Sequence, residues 1–428
     1  MRRVVVKIGL TFLLMVLGGF LLICAVYVLP TERVCLHVRE SGETLEQEGD
    51  YYQLLPGDES TKLDNYTDAI MLLSAAYDGE EDIIEKAANS YRVFVKNQSK
   101  AVSCQNCGLP LKESQRNLHS YSRYWHGYMV ILKPLLLFLN LTEIRQLNLF
   151  VILAEFVIIA ILMYRRRVIE YLAPFVLSIA FLNPITVSSS LQNSTSYHMM
   201  MAAVIVLLFF WEKSCFREHL YLFFLCVGML TSYMDFLTYP VVTLSFPLIL
   251  CFALSDYRKV LEGIRRLLQY SVLWCIGYGG MWASKWILAT VFTGENHIQK
   301  GISKILVRSG SDIGNGVTVT LPEVYRVLWN YFSQSSLRHV FVTLLIAEAA
   351  VLIIKRIRPE KWVTSLLIGC VALYPFIWYA CTQNHSIIHS MFTYRSLSVF
   401  VMAAASILLP DICGKERFLK KEGNRRKG

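Results

Sequence analysis

RRVVVKIGLTFLLMVLGGFLLICAVYVL, residues 2–29, decides the class of this chain. Arg2, Arg3 and Lys7 lead an apolar run from Val4 to Leu29. A bilayer core needs roughly 20 apolar residues per helix, and this run is long enough. It ends without an obvious small-residue cleavage site, so it reads as a retained helix rather than a signal peptide. Basic residues stay on the cytoplasmic side, so the helix runs outward and the acidic stretch after Pro30 lies outside.

The remaining sequence repeats the pattern. Hydrophobic residues make up 54% of the 428 and charged residues 17%, well under the ~25% usual in soluble domains. Residues 31–126 carry a net charge of −6, whereas the whole chain carries +10. The basic excess falls in short loops between apolar runs, where it sets orientation, and gives no reason to expect a nucleic-acid partner.

Further spans are expected at Leu149–Tyr164, Val168–Leu182, Tyr197–Trp211, Leu220–Met234, Leu237–Leu254, Tyr270–Val291, Val340–Ile354, Trp362–Ala380 and Leu397–Leu409. Their cytoplasmic ends carry Arg165-Arg166-Arg167, Lys213 with Arg217, Arg258 to Arg266, and Lys355 with Arg356 and Arg358. Tyr128–Leu141 is apolar but short and interrupted by Lys133-Pro134, so Tyr128–Asn148 reads as an outer interfacial or re-entrant segment. The expectation is an all-α polytopic membrane protein of about ten transmembrane helices with both termini cytoplasmic. It divides into a first span (1–29), a partly helical extracytoplasmic loop with an interfacial helix (30–148), a nine-helix bundle (149–410) and a basic tail (411–428). Short loops and the lack of eukaryotic sorting signals suit a bacterial plasma membrane.

Polar residues worth singling out gather on the outer segments. Leu63-Asp64-Asn65-Tyr66-Thr67-Asp68-Ala69 opens a helical pattern, and its two carboxylates share one helix face. Asp64 also suits a helix cap, which makes a capped, solvated helix the bland reading. Arg123 and His126 lie in an aromatic segment, His119 to Tyr128, that can anchor at the headgroup level or face a lipid phosphate. Asp235 is flanked by apolar spans and should face the protein interior, as a structural partner or as a substrate ligand. His385, His389 and Arg395 join the last two spans. The His spacing allows a metal, but no third ligand is nearby and no metal is expected. Inside the spans, Lys285 is expected to snorkel, and Glu155 and Glu348 to hydrogen-bond between helices. Cys104 and Cys107 form an outer C-x-x-C that favours a disulfide, with the role of Cys35 open.

Together these segments resemble the GT-C superfamily of membrane glycosyltransferases, which have many spans and a large first outer loop with a catalytic acid. The resemblance is carried by Asp64 to Asp68, Arg123 to His126, Asp235 to Pro240, and Asn384 to Arg395. It implies a polyprenyl-phosphate sugar donor, a glycan, lipid or protein acceptor, and contact with membrane lipid. It also implies inverting transfer, with Asp64 or Asp68 as general base and Arg395, with Arg123 or His389, on the donor phosphate. The acidic pair is not an adjacent D-x-D, so no cofactor is assigned and a divalent cation stays open. The competing readings are a transporter or flippase of lipid-linked saccharides, an envelope polymerase or ligase, and a non-catalytic assembly subunit.

Overall fold

The computed structural model describes residues 2–354 and 361–410. The expected basic loop at Lys355, Arg356 and Arg358 and the basic tail 411–428 lie outside the described residues. The fold is mostly helical. Four helical stretches are long and apolar enough to cross a membrane: Arg2–Val28, Leu141–Arg165, Leu191–Phe210 and Trp362–Cys381. Ile169–Leu182, Leu220–Met234 and Val241–Leu254 are shorter apolar helices. Val260–Thr293 is a single helix of 34 residues. At 1.5 Å per residue it is about 50 Å long, which exceeds the ~30 Å hydrocarbon core. Leu337–Ile354 and Ser398–Ala404 complete the apolar set.

Among the boundaries that differ from expectation, two differences come from helix caps. The segment Tyr128–Asn148 divides into a short helix, Met129–Leu136, and the start of the helix Leu141–Arg165. Asn140 accepts from the Glu143 amide, and Glu143 accepts from the Asn140 amide. This reciprocal capping box starts the helix well before Leu149. The helix expected from Tyr197 starts at Leu191, capped by Ser190.

The segment after the first helix, expected to lie outside, is a small packed unit. Glu32–Glu48 buries Val34, Cys35, Val38, Ser41 and Leu45 along one face, the spacing that a helix of 3.6 residues per turn requires. Asn65–Ala75 and Ile83–Asn89 follow, capped by Asp64 and Asp82. Arg92–Val95 pairs antiparallel with Arg116–His119, and Lys100–Gln105 forms a short helix between them. Lys285 ties this unit to the bundle. Rather than snorkelling to the lipid surface, it is fully buried, and its Nζ donates to the Ala87 carbonyl at 2.6 Å. A cation at that helix C-terminus meets the negative end of the helix dipole. Glu155 pairs with His198 at 2.9 Å, a contact between helices as expected. Glu348 is buried, and its carboxylate has no hydrogen-bond partner among the described residues.

The helices Leu220–Met234 and Val260–Thr293 approach closely at two glycines. Gly228 faces the Trp274 carbonyl and Gly277 faces the Leu225 carbonyl. A methyl at Gly277 would lie 2.3 Å from that backbone oxygen, so the two helices touch only because both positions lack a side chain. Gly277→Val is therefore expected to destabilise by about 1–3 kcal/mol through overpacking. Thermal unfolding in detergent should show a lowered midpoint for Gly277→Val and none for Gly279→Ala, which has open space around it. Equal midpoints for both would contradict the packing.

Candidate functional site

The acidic pair splits into two roles. Asp64 caps its own helix: one oxygen accepts from the Thr67 amide at 3.0 Å and the other from the Thr67 hydroxyl at 2.8 Å. It is 4% exposed and no cation pairs with it among the described residues, and burial pushes its carboxyl up to about 6. Asp68 is completely buried and reaches a different helix. It accepts from the Leu191 amide at 2.9 Å, the Gln192 amide at 3.0 Å and the Ser190 hydroxyl at 3.4 Å. It thereby caps the helix Leu191–Phe210 across the fold. Burial raises its carboxyl to about 7, against the opposing charge of Arg145. Each Asp64 oxygen accepts one hydrogen bond, both from Thr67 in its own helix, whereas Asp68 accepts three, two of them from backbone amides of another helix.

The aromatic segment docks onto the long helix. Trp282 and Trp286 both donate to the Arg123 carbonyl, and Trp125 donates to the Met281 carbonyl. His126 is buried at a positive φ of 57° and lies 2.9 Å from the Tyr121 carbonyl. Burial holds it well below its usual value, so it is neutral and occupied within its own turn rather than facing a phosphate. Arg123 stays partly open. Its guanidinium lies 4.7 Å from the Tyr121 ring, and Arg92 lies on the same ring at 4.3 Å.

Asp235 faces the interior, as expected, but has no Arg partner among the described residues. It closes its own turn, accepting from the Thr238 amide at 3.0 Å and the Thr238 hydroxyl, and reaches Thr195 at 3.4 Å. Burial raises its carboxyl. The next residue, Phe236, receives Tyr124, His126 and Tyr128 at ring separations of 5.1 to 5.5 Å. Leu237 then offers its carbonyl to His385 Nε2 at 2.6 Å.

Arg395 is not free to meet a donor phosphate. Its guanidinium is fully buried and donates to the carbonyls of Leu182 at 3.1 Å, Met391 at 2.9 Å and Ser60 at 3.1 Å. It links the first outer segment to the last. His389 instead accepts from Arg308 at 3.0 Å, and burial with the Arg308 and Lys304 charges lowers it to about 4. The two histidine rings are 4.8 Å apart. Among the described residues no group of three His, Cys, Asp or Glu side chains is placed to hold a metal ion.

Two clefts complete the site. The helix His297–Ser309 is fastened at one end by His297 to Ser122 at 2.6 Å, and past its other end by the Gly310 carbonyl to the Asn384 amide at 2.9 Å. Beside it lies a basic cleft of about 530 Å³, lined by Arg123, Gln299, Lys300, Ser303 and Lys304. Arg92, Arg123, Lys304 and Arg308 form no ion pair with a carboxylate among the described residues. The Arg308 Nε and the Arg92 Nε are buried without a partner. An apolar groove of about 350 Å³ is lined by Met71, Tyr128, Leu132, Leu147, Val151 and Ala202. Asn148, His198 and Glu155 form a polar chain on its wall. The segment that places Arg123 in the cleft also places Tyr128 in the groove.

Lys304, Arg308 and His198 were not singled out in the sequence. Lys300, Lys304 and Arg308 recur every four residues, a basic helical stripe that was there to be read. Gln192 to His198 is a polar opening to an otherwise apolar helix, an equally visible signal. Comparison with protein-family models, curated proteins and solved structures returns no match.

The Asp68 cap sets a pH dependence. A carboxyl raised from 3.8 to about 7 holds its proton better folded than unfolded. Its contribution to stability is present below about pH 4 and is lost as pH rises through about 7. Asp68→Asn keeps one acceptor oxygen but turns its NH2 toward the other amide, so it should lower the melting midpoint by leaving a buried N–H unsatisfied, at a cost of about 1–3 kcal/mol, and should flatten the decline of that midpoint between pH 4 and 7. Melting curves across that range for both proteins check it, and parallel declines would contradict it.

Proposed function

We propose that this chain is a membrane glycosyltransferase that moves a sugar from a polyprenyl-phosphate donor to an acceptor hydroxyl at the outer membrane face. One observation carries the reading. Four polar segments far apart in the chain, around Asp64, Arg123, Asp235 and His385, meet at one end of the bundle. Phe236, Leu237, Ser60 and the first turn of Leu191–Phe210 are their shared contacts. In this reading about ten helices cross the bilayer with both termini cytoplasmic. The resemblance to the GT-C superfamily points the same way.

The roles follow from which groups remain free. Asp64 is the general base: each of its oxygens accepts one hydrogen bond, no cation pairs with it among the described residues, and its carboxyl is near the working pH. It takes the acceptor proton as the hydroxyl oxygen bonds to the anomeric carbon and the bond to the donor phosphate oxygen breaks. Asp68, Asp235 and Arg395 are positioning residues. The released phosphate lies among Arg123, Lys304 and Arg308, which bring uncompensated positive charge to the leaving group. The prenyl chain occupies the apolar groove. Met71 on its wall is two helical turns from Asp64, about 10 Å along the axis.

The test is release of polyprenyl phosphate by the purified protein from a panel of polyprenyl-phosphate sugars. Wild type is expected to release it from at least one donor, with Asp64→Asn slower by about 10²-fold or more. Arg308→Met is expected chiefly to raise KM. No release from any donor by folded protein would overturn the reading, and wild-type rates in Asp64→Asn would remove the base from that position.

A further inference from the structure

The C-x-x-C pair does not close on itself. Cys104 is buried, and its thiol points at the Ala69 carbonyl, 3.6 Å away. Cys107 instead faces Cys35 across the interface between the helix Glu32–Glu48 and the turn after Lys100–Gln105. The two sulfurs are 2.6 Å apart, and both residues are buried. The surroundings favour this approach. Gly108 follows at a positive φ of 68°, and a methyl there would lie 3.1 Å from the Cys35 Cβ and 3.2 Å from its sulfur. Arg39 donates to the Cys107 carbonyl at 2.7 Å and fixes the backbone that presents the thiol.

We infer that Cys35 and Cys107 are a disulfide-forming pair, oxidised by thiol–disulfide exchange outside the cytoplasm, with Cys104 remaining a thiol. The inference rests on the outer placement of the first loop, because disulfides persist in oxidising compartments. The exchange balances without another reactant. Both thiols lose their hydrogens, a sulfur–sulfur bond forms between them, and the partner's disulfide breaks into two thiols that take up the two protons and two electrons. Access is available: Cys107 and Gly108 line a solvent cleft of about 800 Å³ with Tyr77, Asp78 and Arg116. A buried pair with such an opening can meet a disulfide partner from one side.

The link has a defined mechanical role. It closes the chain from residue 35 to residue 107, and the acidic helix Asn65–Ala75 lies within that loop. The thiol of Cys35 lies 3.8 Å from the Ala76 carbonyl at the end of this helix, and Cys104 touches its middle at Ala69. The disulfide therefore braces the scaffold against which Asp64 and Asp68 are set.

The experiment lyses cells directly into denaturant containing N-ethylmaleimide, so that buried free thiols are blocked too, purifies the full chain, digests it without reduction and maps the peptides by mass spectrometry. The expected result is a Cys35–Cys107 linked peptide and an alkylated Cys104. Reduction should lower the melting midpoint of wild type by several degrees and leave Cys35→Ser unchanged. Alkylated Cys35 and Cys107, or a Cys104–Cys107 link, would overturn the inference. Leu55→Cys, on an exposed stretch of the same loop, reports the orientation separately through a membrane-impermeant maleimide. Free thiols with Leu55→Cys labelled from outside would sink the disulfide alone. Free thiols with Leu55→Cys protected would sink the outer placement as well.

Discussion

The carboxylate of Asp68 seated on the first amides of the helix Leu191–Phe210 is the contact on which the rest depends. Helix N-termini leave backbone N–H groups without partners, and inside a packed bundle those groups need acceptors. Here the acceptor for the first amide comes from 123 residues upstream, on the helix Asn65–Ala75. That choice locks the outer unit to the bundle at one position. The same first turns of Leu191–Phe210 then meet Asp235 through Thr195 and the groove through Ser194 and His198. A helix cap, a turn and a cavity wall are thus assembled around one buried charge.

Charge at the candidate site is unevenly paired, and that gives the proposed chemistry its physical footing. The site's three aspartates are held by amides and hydroxyls: Asp64 by Thr67, Asp68 by Leu191 and Gln192, and Asp235 by Thr238. Its cations at Arg92, Arg123, Lys304 and Arg308 have aromatic rings, a histidine or no partner. Like charges crowded in this way raise one another's energy, and an anion relieves the cost. The Lys304 ammonium is accordingly pulled below its ordinary value by burial and by Arg308 and Arg123. A phosphate with an apolar tail suits a protein that sets a basic cleft and an apolar groove on one short segment.

Much of the helical layout was legible because apolar runs and caps are local signals. Asp64 and Asp82 announced the starts of their helices, and each apolar run contains helix in the structure. What failed was whatever depends on partners far away in sequence. Nothing in Tyr394-Arg395 shows that the guanidinium will meet the carbonyls of Leu182 and Ser60, so a phosphate role was read where a staple stands. His126 was assigned to a ligand, yet it turns back to Tyr121 through a left-handed backbone. Lys285 was expected at the lipid surface and instead ends a helix of the outer unit. Other misses were avoidable: the apolar spacing of Val34, Val38 and Leu45, and the stripe of Lys300, Lys304 and Arg308, are written in the sequence.

The central claim is that one lipid-linked phosphate fits both the cleft and the groove. Photo-crosslinking addresses it most directly: a polyprenyl phosphate carrying a photoreactive group on its chain, and a second with the group beside the phosphate, each mapped on the full-length protein by mass spectrometry. The account predicts saturable labelling of the groove around Tyr128, Leu132 and Leu147 by the first probe, and of the His297–Ser309 helix and Arg123 by the second. Unsaturable labelling spread over outward faces such as that of Arg2–Val28 would contradict it.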